Sequence, residues 1–198
     1  LVGSALSALP KGATVGTSSL RRAAQLRHLR SDLRVESLRG NVDTRLHKLD
    51  QGQYNAVVLA AAGLRRLSLD RRITELLDPE VMCPAVGQGA LAIQTRADDA
   101  ETRAALAPLD DPAARAETTA ERAMLAELGS GCQVPIGGHA RLAGDSLRLT
   151  GVVASPDGAE LLRAAAEASI ADAVAVGRRV AADLLSRGAN RILAQVYA

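Results

Sequence analysis

The chain has 198 residues, 47% hydrophobic and 23% charged, the make-up of a globular protein with room for one large or two small domains. No stretch approaches the ~20 consecutive apolar residues of a membrane-spanning helix, and the N-terminus lacks the basic start and apolar core of a secretory signal, so a cytoplasmic protein that engages no membrane is expected. Net charge is only +2, but residues 1–72 hold 13 Lys/Arg against 5 Asp/Glu while residues 73–198 hold 11 against 17, which points to an anionic partner for the front of the chain.

The front alternates strand and helix. Ala13–Gly16 reads as a short strand, and Ser18 or Ser19 caps a helix with Leu20, Ala23, Leu26 and Leu29 on one side; Leu33–Leu38 reads as the next strand. The unit then repeats: Val42, Leu46 and Leu49 share a helical face, Gly52 stops that helix, and Asn55–Ala60 is a buried-type strand. Such a βαβαβ pattern predicts a parallel sheet with helices packed on it. Short helical pieces follow to about Leu77, and Asp78-Pro79 breaks the pattern. Cys83–Thr95 reads as an extended connector followed by a strand, crossing between domains.

Asp111 before Pro112 is a helix start, and that helix runs to Leu128 before Gly129 ends it. Ile136–Leu142, Leu147–Ala154 and Glu160–Ala168 read as strands, with Ser155-Pro156-Asp157-Gly158 as a hairpin turn. A closing helix carries Val176, Val180 and Leu184 on one face and stops at Gly188. The back is thus a small α+β domain with its own core.

Ligands of parallel α/β sheets bind outside the carboxyl ends of the strands. All three such ends carry arginine: GTSSLRR holds Thr17, Ser18, Ser19, Arg21 and Arg22, RGNVDTR holds Arg39 and Arg45, and AAGLRR holds Arg65 and Arg66. Free N–H groups and hydroxyls at a helix N-terminus attract anions, and guanidinium groups from adjacent loops turn that attraction into a carboxylate or phosphate clamp. Of the 24 cations 22 are arginine, the residue suited to bidentate grip. Nucleic acid fits poorly, because the chain has no Phe or Trp and only Tyr54 and Tyr197 as stacking platforms.

Two cysteines at this spacing make neither a disulfide framework nor a zinc site. Cys83 sits in the apolar run VMCPAV and reads as a packing residue. Cys132, in GSGCQVPIGG, is presented on a glycine-hinged loop between helix and strand, where a working thiol is expected. His28, His47 and His139 read as surface or structural, and no Ser/His/Asp order, close carboxylate pair or phosphate-cradling loop stands out.

In order along the chain, GTSSLRR, SLRGNVDTRLHKL, VVLAAAGLRRL, PAVGQGALAI, TAERAML and GCQVPIGGHARL closely resemble the hydroxymethylbilane synthase, or porphobilinogen deaminase, family. The resemblance implies an α/β domain like half of a type II periplasmic binding protein (residues 1–83), a hinge with a strand and helix returning to a first domain (84–109), and a C-terminal α+β domain with a three-stranded antiparallel sheet (110–198). It implies that most of the first domain, with the catalytic aspartate, is absent here, so no catalytic residue is assigned and the fragment alone is expected to be inactive. Cys132 would be the thioether anchor of a dipyrromethane cofactor; Ser19, Arg21, Arg22, Arg39, Arg45 and Arg66 would bind carboxylates of cofactor and substrate; Thr17, Ser18, Asn41 and Gln88 match lining or hinge positions. The implied partners are porphobilinogen and the growing oligopyrrole chain, with neither nucleic acid, membrane nor metal, and the implied full-length form is a monomer. Two other classes stay open from the residues themselves: an anionic-ligand binding module of periplasmic-binding-protein type, in which Cys132 is incidental, and an arginine-rich nucleic-acid binder.

Overall fold

A computed structural model describes residues 1–129 and 134–196. In the front part, β1 (Thr14–Gly16) lies between β2 (Arg34–Glu36) and β3 (Ala56–Val57), and all pair in parallel. The crossovers are α1 (Leu20–Leu29) and α2 (Val42–Asp50), and α3 (Ala61–Arg66) follows β3. Successive strand residues face opposite sides of a sheet, and the core divides accordingly. Val15, Leu26, Leu33, Ala56 and Val58 pack on one side, Val2, Leu38, Leu46, Val57 and Leu64 on the other.

Three sequence expectations shift here. The strand expected over Asn55–Ala60 shrinks to two residues because its partner β1 offers only three. The buried stripe of α1 is rotated away from Leu29, which is exposed, toward Arg21, Ala24 and Gln25, because the connector around Cys83 packs against that side. No strand forms over residues 90–95. That segment has no neighbouring strand to complete its hydrogen bonds, and Leu91 is 83% and Ile93 59% exposed. The helix expected after it does form, as α4 (Ala100–Leu106), with Asp99 capping Thr102 N at 3.0 Å.

The back part starts with α5 (Pro112–Leu128). Its first turn is capped by Asp111, whose carboxylate accepts from Ala113 N and Ala114 N at 2.9 and 3.1 Å, and Gly129, at φ +85°, turns the chain out of the helix. Antiparallel strands β4 (Ile136–Ala143), β5 (Ser146–Ala154) and β6 (Leu161–Ser169) follow in that spatial order, covered by α5 and α6 (Ala173–Ser186). After Gly188 a further short helix, α7 (Ala189–Ala194), buries Ile192 and Leu193. The outer edge of β4 is closed rather than open: Gly138 N donates to Pro84 O (3.0 Å), Ala140 N to Glu121 (2.8 Å) and Leu142 N to Glu117 (2.9 Å).

The two parts touch away from the connector as well. Arg27 donates to Pro156 O at 2.7 Å and His28 Nδ1 to Gly158 O at 3.0 Å, which brings the C-terminal end of α1 onto the β5–β6 turn. A side chain at Gly158 would meet Arg27 Cβ at 2.5 Å. Arg163 on β6 pairs with Glu80 at 3.1 Å. Among the described residues no helix is long and apolar enough to cross a membrane, and no group of three or more His, Cys, Asp or Glu could hold a metal ion.

Candidate functional site

Helix α1 has Ser19 as its cap, accepting from Arg22 N at 3.4 Å, so the N-terminal N–H groups and the hydroxyls of the GTSS run gather at the carboxyl end of β1. Thr17 is buried and its hydroxyl accepts from Ser19 N at 3.2 Å; Ser18 donates to Leu38 O at 2.7 Å and lies 3.1 Å from the Ser37 hydroxyl. These bonds stitch the loops after β1 and β2 together.

A cleft of about 530 Å³ opens beside them. Ser18, Ser19, Arg21 and Arg39 form one wall; Ala85 and Val86 of the connector, Leu125 of α5, and Val134 and Ile136 leading into β4 form the other. One side therefore offers hydroxyls and guanidinium groups beside Leu20, the opposite side aliphatic surface. Of the remaining sequence-expected residues, Arg22 and Gln88 line an adjoining cavity that Arg21 shares. Arg45 donates to Gly40 O at 2.9 Å and stands close enough to Arg22 to depress its pKa, second to burial. Asn41 caps α2, accepting from Thr44 N at 2.8 Å, and Arg66 is exposed at the end of α3; these two, like Thr17, line neither cavity. Cys132 lies outside the described residues, two positions before Val134.

Arg21 is nearly buried. One guanidinium nitrogen donates to Cys83 O, the other to Gln88 Oε1 at 3.1 Å, and burial pulls its pKa down to about 10. Arg22 donates to Val58 O at 3.1 Å and is likewise lowered by burial. Both remain cationic at neutral pH and are held by carbonyl dipoles rather than by carboxylates, so their charge is available to an anion. Cys83 is fully buried, and burial pushes its thiol up to about 12, as befits a packing residue.

Two polar residues of the site escaped sequence reasoning. Gln25, fully buried, accepts from Cys83 N at 2.8 Å and donates to Cys83 O at 3.1 Å, acting as a peptide-group mimic that fastens the connector to α1. Its sequence signal was its place one turn after Arg21, flanked by Ala24 and Leu26. Glu121, buried on α5, accepts from Gly87 N at 2.6 Å and Ala140 N at 2.8 Å, and burial raises its pKa. An acid in the middle of a long helix looks solvated in sequence, which is why it was missed.

The architecture is a parallel α/β module joined by a clamped connector to an α+β domain, with an arginine-lined cleft beside the connector. Comparison with known proteins makes this specific. A family model described as "Porphobilinogen deaminase, dipyromethane cofactor binding domain" matches residues 1–104, and one described as "Porphobilinogen deaminase, C-terminal domain" matches residues 115–186. Curated relatives named Porphobilinogen deaminase from Roseiflexus sp. (strain RS-1) and Roseiflexus castenholzii (strain DSM 13941 / HLO8) are each 56% identical over 192 residues, 97% of this chain and 63% of theirs. One of the same name from Syntrophobacter fumaroxidans (strain DSM 10017 / MPOB) is 52% identical over 195 residues, 98% of this chain and 63% of its own. The chain belongs to the porphobilinogen deaminase family and spans 63% of the length of these relatives.

Proposed function

We propose that this chain is the carboxylate-holding and cofactor-carrying portion of a hydroxymethylbilane synthase, a transferase of porphyrin biosynthesis that condenses four porphobilinogen molecules into a linear tetrapyrrole. The observation that carries the reading is the cleft with the α1 N-terminus, Arg21 and Arg39 on one side and the aliphatic residues of the connector, α5 and β4 on the other. Porphobilinogen is a flat pyrrole bearing an acetate and a propionate. Guanidinium and hydroxyl groups match its carboxylates and the aliphatic wall matches its ring, so the donor set fits both this substrate and a dipyrromethane built from two such units.

In this reading Cys132 would hold the dipyrromethane through a thioether, and the bound group would supply the free pyrrole carbon to which the first unit is joined, each later unit being joined to the one before it. Ser19, Arg21, Arg22, Arg39, Arg45 and Arg66 hold carboxylates, with Arg39 exposed at the cleft and Arg21 already fixed by Gln88; Thr17, Ser18 and Asn41 shape the loops that place them. Exclusion of water by Val86, Leu125, Val134 and Ile136 strengthens those charge-assisted bonds. Acid assistance to ammonia loss falls to an aspartate outside this sequence, and Glu121, occupied by two backbone N–H groups, does not replace it. Residues 90–107 pack against the domain that carries that aspartate, and the working protein is a cytoplasmic monomer.

Porphobilinogen consumption tests the reading. Residues 1–198 alone are expected to consume none, and the same chain extended by the residues its longer relatives have is expected to consume it with release of ammonia. Turnover by the short chain alone, or none by the extended one, contradicts the assignment.

A further inference from the structure

The connector between the two parts is gripped from both sides within a few residues. From the α/β side, Gln25 pairs with the Cys83 backbone at 2.8 and 3.1 Å, and Arg21 donates to the same carbonyl. From the other side, Gly138 N donates to Pro84 O at 3.0 Å, and Gly87 N donates to the Glu121 carboxylate at 2.6 Å. Residues 86–89 form a turn with Gly87 at φ +69°, and the next residue, Gln88, accepts from Arg21 Nη2 at 3.1 Å. Hydrogen bonds thus link β4 to Glu121 and Glu121 to Gly87, the Gly87–Gln88 peptide bond carries the connection onward, and a further hydrogen bond links Gln88 to Arg21.

Glu121 suits this place for a chemical reason. Its two oxygens take one N–H each, Gly87 on the connector and Ala140 on β4, so a single side chain ties the turn to the sheet. Glutamine has the same shape but only one acceptor atom; its amide nitrogen would face an N–H donor. Glu117, one turn earlier on α5, accepts from Leu142 N at 2.9 Å and, among the described residues, from no connector N–H.

We propose that Glu121 is a positioning residue that couples the C-terminal domain to the anion cleft, fixing the connector turn so that Gln88 holds the Arg21 guanidinium where a ligand carboxylate meets it. The proposal rests on the cleft reading for its ligand but not for its geometry. A shift of the C-terminal domain is then felt at Arg21 without any change in the α/β domain itself.

Amide and guanidinium hydrogen exchange by NMR, together with porphobilinogen titration, tests it on residues 1–198 as wild type, Glu121→Gln and Glu117→Gln. Glu121→Gln is expected to speed exchange of the Gly87 amide and of the Arg21 Nε–H by at least about tenfold each, while β5 amides stay protected. Porphobilinogen affinity is expected to fall by roughly tenfold, and Glu117→Gln is expected to change none of the three. An ester in place of the residue 87 amide removes the donor without disturbing the buried carboxylate, and should reproduce the Arg21 effect should the glutamine variant fail to fold. Unchanged Gly87 exchange in Glu121→Gln overturns the latch, and faster Gly87 exchange with unchanged Arg21 exchange, in either altered protein, overturns the coupling. If wild type binds no porphobilinogen, the cleft reading fails by itself, and the two exchange rates still decide the latch.

Discussion

Burial gives the two ionisable groups at the connector opposite tasks. Arg21 keeps its charge at neutral pH despite a pKa lowered to about 10, whereas Cys83, pushed up to about 12, keeps its proton. At pH 8 the buried Cys83 thiol stays protonated. Iodoacetamide should therefore leave Cys83 unmodified in the folded chain, and peptide mapping of the labelled protein checks this; labelling at Cys83 before unfolding contradicts its burial. Arg21 has a sign to work out. Its folded pKa lies below the unfolded value, so above about pH 10 the unfolded chain binds more protons and its contribution to stability rises with pH until the unfolded arginine loses its proton too. Anion affinity moves the other way, and porphobilinogen binding followed by calorimetry should weaken as pH passes 10.

The clamp arginines differ from surface ones in what faces them. Arg39 lines the cleft and Arg45 stands by Arg22, whereas Arg178 pairs with Glu127 at 3.1 Å on the far helices. Replacing Arg39 or Arg45 with Leu should remove charge-assisted hydrogen bonds of about 1.5–3 kcal/mol, slowing elongation in the extended protein by roughly ten- to a hundredfold. Arg178→Leu and Arg179→Leu should leave the rate within about twofold, since exposed pairs contribute little. Equal losses at both places would mean that the charge is generic.

At the level of elements, legibility followed how local the signals are. Helix α5 was read to its exact ends because Asp111-Pro112 and Gly129 are start and stop signals within a residue or two of the boundary. The three strands of the C-terminal sheet were read within about two residues, since alternation and the Pro156-Asp157-Gly158 turn are local too. Residues 90–95 were read as a strand from an apolar pattern, but a strand exists only where a second one meets it. The same reason hid Gln25 and Glu121, whose partners lie 58 and 34 residues away. Helix α7 was missed because six residues after Gly188 carry too few turns for a periodic signal.

Packing between α5 and α6 carries the prediction at this scale. A Cβ at Gly177 would collide with Ala120 O and come within 2.7 Å of Ala123 Cβ and 2.8 Å of Met124 N, so the obstacle is largely helix backbone that cannot swing aside. Gly177→Ala should destabilise the C-terminal domain by about 1–3 kcal/mol although alanine favours helix, read as a lower urea midpoint with unchanged slope. An unchanged or higher midpoint would show that the two helices are not in contact there.

Across the whole molecule, the polar wall of the cleft comes from the α/β part, Leu125, Val134 and Ile136 of the facing wall come from the α+β part, and the connector between them is fastened by Gln25, Arg21 and Glu121. Leu91 and Ile93 stand apart from both cores. Hydrogen exchange should find residues 90–98 exchanging fast while β5 remains protected, and slow exchange in that segment in a monomer would contradict its exposure. Cys132 lies outside the described residues, and it bears the central claim. Intact mass spectrometry of the extended protein, isolated after expression, tests that claim most directly. Wild type and Cys83→Ser should each carry the added mass of one dipyrromethane, and Cys132→Ser should fold and carry none; a dipyrromethane adduct on Cys132→Ser contradicts the account.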